Sequence, residues 1–149
     1  MSKKKIILTI TALSILFIFF RVLNYNKDII DFKREMAEYG YNLKFDKSRL
    51  TYLLTPNYLN EMNNGNKFLL YPYPSQLEAQ KDFSKLKEDI SSNRFDLLST
   101  PGQNQIFFIK NSIIILYIMD DEDPIYIALK KVLGNPEIFI EDKSLVERQ

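Results

Sequence analysis

Four carboxylates stand in a row at Asp120-Asp121-Glu122-Asp123, followed by Pro124. They form the densest cluster of functional groups in the chain. Carboxylate oxygens suit calcium, but this run lacks the spaced ligands, the turn glycine and the distant Glu of an EF-hand loop. It also stands where a helix should begin. Asp123 can cap the amino end of that helix and Pro124 suits its first position. Negative charge is favoured there by the helix dipole. A solvated helix-entry loop is the plainer reading. A second group of candidates is aromatic: Tyr71 and Tyr73, with Tyr58 and Phe68 nearby. Tyrosine suits surfaces that are apolar on one side and wet on the other. Tyr71, Tyr73, Asp120, Asp121 and Glu122 are therefore the expected contact surface for a partner.

Other chemistry is limited by composition. The 149 residues include no His and no Cys. Disulfides, thiolate nucleophiles, Cys/His zinc sites and triads with His as base are excluded. Ser75 and Ser99 lack a nucleophile-elbow setting. With four glycines, the chain has no Gly-rich phosphate loop. No catalytic residue, cofactor or metal ligand is expected. A pair of carboxylates serving a hydrolase or transferase is the alternative, because only their separation in space would matter. A structural subunit of a membrane complex is a further alternative.

These candidates must be positioned by a chain with an unusual start. Lys3, Lys4 and Lys5 precede Ile6–Phe20, fifteen residues without charge, Gly or Pro. Ile6–Leu23 gives eighteen residues with Arg21 near the end. A membrane-spanning helix needs roughly 20, and about 17 at the low end. Lys5 and Arg21 can extend their charges to the headgroups while their methylenes stay in the apolar layer. Hydroxyls of Thr9, Thr11 and Ser14 can bond to carbonyls one turn back. The basic start also fits a signal peptide, but no pair of small residues marks a cleavage site after Phe20. The expectation is a single-pass signal-anchor over residues 1–23. The compact lysine block points to an inside amino terminus, with the domain outside the cytoplasm.

Beyond the anchor the charge reverses. Of 20 basic residues, four precede residue 24, so 16 face all 19 acidic ones. A net charge of −3 argues against a nucleic-acid-binding surface.

The remaining chain is long enough for one domain. Residues 24–55 read as a juxtamembrane helix and connecting segment. Tyr25, Ile29, Phe32, Met36 and Tyr39 form one helical stripe, and Gly40 suits its stop. The stripe offers either a short homodimer seam over residues 25–39 or packing on its own domain. Tyr41, Leu43 and Phe45 alternate like a strand.

Residues 56–141 read as an α+β domain. Asn64-Gly65 lies between two strand-like runs, Tyr58–Asn63 and Asn66–Tyr71, a strong hairpin signal. Ser75-Gln76-Leu77-Glu78 has capping-box spacing. Ala79, Phe83, Leu86 and Ile90 then line a helix running to about Ser91. Arg94–Leu98 reads as a short strand. Ile106–Ile109 and Ile113–Met119 read as a hairpin around Lys110-Asn111-Ser112. Its second strand is nearly all apolar, as a central strand covered on both faces would be. A last helix follows Pro124 and stops at Gly134, with an edge strand over Glu137–Glu141. The tail, 142–149, is polar. This β-β-α-β-β-α order predicts a two-layer α/β sandwich of mostly antiparallel sheet, with both domain helices on one face.

Several segments resemble small extracytoplasmic proteins of Gram-positive bacteria, many of them lipoproteins. They are Thr55-Pro56-Asn57-Tyr58-Leu59, Lys67-Phe68-Leu69-Leu70-Tyr71-Pro72-Tyr73-Pro74-Ser75, Glu78–Phe83, Phe107–Tyr117 and Ala128–Gly134. The resemblance implies an anchored α+β domain and transfers no catalytic residues. This chain has no lipid-attachment cysteine, so a protein anchor would stand in for the lipid. The function expected is that of a membrane-tethered accessory or binding domain.

Overall fold

The computed structural model describes residues 3–47, 58–61, 67–92, 103–119 and 124–141. The fold is α+β. A long helix, α1 (Lys3–Glu38), leads to a short strand, β1 (Asp46–Lys47). The hairpin β2 (Tyr58–Glu61) and β3 (Lys67–Pro72) follows, then helix α2 (Gln76–Ser91). A second hairpin is made by β4 (Asn104–Lys110) and β5 (Ile113–Met119). Helix α3 (Pro124–Leu133) and the edge strand β6 (Ile138–Ile140) complete the described order. The predicted β-β-α-β-β-α core is present. Among the described residues all strand pairs are antiparallel, and the six strands run β1-β2-β3-β5-β4-β6 in one sheet.

The two-layer sandwich is not what forms. β5 is buried along its whole length, so both of its faces need cover. On one face Leu69, Tyr71, Phe107, Ile114 and Leu116 pack with Ala79, Phe83 and Leu86 of α2. On the other, Phe68, Leu70, Phe108, Ile115 and Tyr117 pack with Leu129 and Val132 of α3 and with Phe32 and Met36 of α1. The sheet is thus the middle of three layers. Neighbouring residues of one strand point to opposite faces, which divides the core into these two halves. The Phe68 and Tyr117 rings, paired across β3 and β5, stack with centroids 4.5 Å apart.

Helix α1 also moves the expected domain boundary at residue 55. Phe32, Met36 and Leu43 are buried in the same core as the sheet, so the juxtamembrane segment is part of the domain. The stripe read as a dimer seam over residues 25–39 spends Phe32 and Met36 on the chain's own core. Residues 41–45 are not a strand. Gly40 turns the chain at φ 88°, and Leu43 drops into the core before β1 begins.

Several local signals act as read. Ser75 caps α2, its hydroxyl accepting from the Glu78 amide at 3.3 Å. Pro124 opens α3, and Gly134 follows it at φ 90°. β2 and β3 pair antiparallel, with Glu61 opposite Lys67. The turn expected at Asn64-Gly65, the strand expected at Arg94–Leu98 and the 142–149 tail lie outside the described residues.

Most side chains of the expected span, Ile6–Leu23, also lie outside the described set. Among the described residues, no helix is long and apolar enough to cross a membrane. Within the span, Ile10, Leu13 and Ile15 are each about 60% exposed. The Ser14 hydroxyl donates to the Ile10 carbonyl at 2.9 Å, the back-bond expected from the sequence.

Candidate functional site

A connected polar constellation lies where α1, the β4–β5 turn and the start of α2 meet. The turn is tight because Lys110 pairs with Ile113, leaving only Asn111 and Ser112 between the strands. Asn111 takes φ 52°, a left-handed conformation that asparagine tolerates better than most residues. The turn is then fastened from outside. Ser112 donates its backbone amide to Asp28 Oδ2 at 3.2 Å, and its hydroxyl donates to the same oxygen. Asn111 Nδ2 donates to Asp28 Oδ1 at 3.3 Å. The Ser112 carbonyl accepts from the Tyr73 amide at 2.7 Å. Ser112 is buried, so each of its polar groups needs such a partner.

Two turns further along α1, Glu35 holds the other side of the same hairpin. Lys110 Nζ lies 2.8 Å from Glu35 Oε2 and donates to the Val132 carbonyl at 2.7 Å. Val132 is in the last turn of α3, where free carbonyls and the helix dipole favour a cation. Lys110 therefore links all three elements on this face: α1, the sheet and α3.

Beside the Asp28 cluster is an open cleft of about 300 Å³, lined by Lys27, Asp28, Pro74, Ser75, Gln76, Asn111 and Ser112. Its lining is polar. Asp28 is engaged with Asn111 and Ser112 on both of its oxygens, and the Ser112 hydroxyl is directed at a carboxylate. The chemistry of this arrangement is fastening and hydrogen bonding. Among the described residues, no group of three or more acidic side chains could hold a metal ion.

The contact surface expected from the sequence is not assembled. Tyr71 and Tyr73 are 0% and 2% exposed. Both point to the α2 face of a covered sheet, where Tyr73 Oη donates to Asp82 Oδ2 at 3.1 Å. Phe68 is buried on the opposite face, so the three do not form one platform. Asp120, Asp121 and Glu122 lie outside the described residues. Asp28, Glu35, Lys110 and Ser112 are not functional candidates by residue type or motif. Their local traces are the hairpin turn read at Lys110-Asn111-Ser112 and the seven-residue spacing that puts Asp28 and Glu35 on one side of a helix. Their partners lie 75 to 84 residues away in the chain.

The chain matches no family model, no curated protein and no solved structure.

Proposed function

We propose that the protein is a membrane-tethered accessory or binding domain, held outside the cytoplasm by residues 6–23 and without activity of its own. The observation that carries this reading is the first half of α1. Ile10, Leu13 and Ile15 spread around the helix and stay largely exposed, while the second half of the same helix is built into the domain core. Exposed apolar side chains in such a helix call for an apolar surround. The back-bonded Ser14 hydroxyl fits a segment in which polar groups must be satisfied internally. The lysine block before the span supports the outside orientation of the domain.

The absence of His and Cys supports a binding role over a catalytic one, since it removes the side chains most often tuned for acid–base and nucleophilic work near neutral pH. Likeness to small anchored extracytoplasmic domains of Gram-positive bacteria supports the same reading. Two experiments test it together. Full-length protein is recovered from its membranes with whatever it binds, and the purified protein is screened for hydrolase and transferase activity. A specific partner with no turnover is the expected result. Reproducible turnover abolished by changing one carboxylate would overturn it.

A further inference from the structure

The end of the domain nearest the anchor can be located from its ties to α1. Asp28 holds Asn111 and Ser112, so the β4–β5 turn is fixed beside residue 28. The Tyr73 amide donates to the Ser112 carbonyl, which brings the end of β3 to the same level. Pro74, Ser75 and Gln76 share a cleft with Lys27 and Asp28, so α2 begins there as well. The apolar stretch ends at Leu23, five residues before Asp28. At about 1.5 Å per residue, the axial gap is about 7–8 Å. A headgroup layer occupies roughly 5–8 Å on each side of the hydrocarbon core. The start of α2 therefore falls at headgroup depth.

One residue past this cleft stands an exposed apolar side chain. Leu77, the second residue of α2, is 76% exposed, more than any other large hydrophobic residue among those described. Lys81 follows one turn later on the same side of α2 and is exposed. Lys27 is exposed at the cleft. An apolar tip beside lysines suits an interface in which hydrocarbon and anionic headgroups meet. Ile127 on α3 and Phe139 on β6 are also exposed, but neither adjoins the Asp28 cleft in sequence as Leu77 adjoins Gln76.

We propose that this end of the domain docks on the bilayer that holds the anchor, with Leu77 inserted at headgroup level and Lys27 and Lys81 on anionic lipid headgroups. The inference rests on the tethered reading above. It gives the domain two points of attachment, so α1 and the start of α2 together set its tilt. β5 runs from Ile113 at this end to Met119 at the opposite end, which would then face away from the membrane.

The chain has no native cysteine, so a single dye can be placed cleanly. Full-length Leu77→Cys, Ile127→Cys and Phe139→Cys proteins, each carrying an environment-sensitive dye, are reconstituted in phosphatidylcholine vesicles with or without phosphatidylglycerol. Emission at residue 77 should be blue-shifted and quenched by headgroup nitroxide lipids. The effect should be larger with phosphatidylglycerol and should fall with added salt, while residues 127 and 139 report water. A water-like, unquenched signal at residue 77 in vesicles that retain the protein would overturn docking and leave the tether standing. Equal quenching with and without phosphatidylglycerol would overturn the anionic contact. Shielding of residue 77 in native membranes but not in lipid vesicles would assign Leu77 to a protein partner instead. Loss of the protein from vesicles at alkaline pH would overturn the tether and the docking together.

Discussion

Asp28 accepts two hydrogen bonds from Ser112, one from its amide and one from its hydroxyl, across 84 residues of sequence. The pair joins the helix that enters the domain to the turn that leads into the fully buried strand β5. Replacing Asp28 by Ala would leave the buried Ser112 donors without their acceptor. Such a loss costs about 1–3 kcal/mol. Asp28→Ala should lower the urea midpoint of the full chain in detergent, followed through its nine tyrosines. An unchanged midpoint would show that the Asp28–Ser112 link does not support the fold.

The turn itself makes a second prediction. Asn111 sits at φ 52°, where a β-branched side chain is strained. Asn111→Val should destabilise by about 1–2 kcal/mol from the left-handed conformation alone. Asn111→Gly should be tolerated better on conformational grounds, and comparing the two melting temperatures separates strain from the lost bond to Asp28. Greater loss with Gly than with Val would contradict the turn geometry.

Leu116 on β5 faces α2 in the core, whereas Lys85 is on the exposed side of α2. Truncating a buried Leu to Ala costs about 2–5 kcal/mol. Leu116→Ala should strongly weaken the domain, while Lys85→Ala should stay within about 0.5 kcal/mol of the parent. Equal tolerance of both, measured by urea unfolding, would mean that β5 is not the central strand.

The core role of α1 is tested at Phe32. Phe32→Ala should cost about 3–5 kcal/mol. Because Phe32 packs within its own chain, the loss should not depend on protein concentration. A loss that disappears at high concentration would instead place Phe32 at a contact between copies.

Much of this architecture was legible because its signals are local. The Ser75 cap, Pro124 and Gly134 each mark an element from a few neighbouring residues. The layer order was harder. Ile113–Met119 is apolar at every position and so requires cover on both faces, which two helices on one face cannot supply. The second face is covered by α3, on the side opposite α2, together with Phe32 and Met36 of α1, whose stripe reads equally well as a dimer seam. Tyr71 and Tyr73 look amphipathic in sequence, yet Tyr71 on β3 and Tyr73 just after it are both buried on the α2 side of the sheet. The Asp28 cluster left almost no trace, because its bonds join residues that only the tertiary fold brings together.

The most direct test of the central claim is fractionation of the full-length protein carrying a C-terminal tag. Membranes are washed at alkaline pH, and the retained protein is sized and sequenced from its amino terminus. The account predicts retention in the membrane pellet with residues 6–23 intact. Release into the soluble fraction, or a mature amino terminus near residue 24, would contradict it.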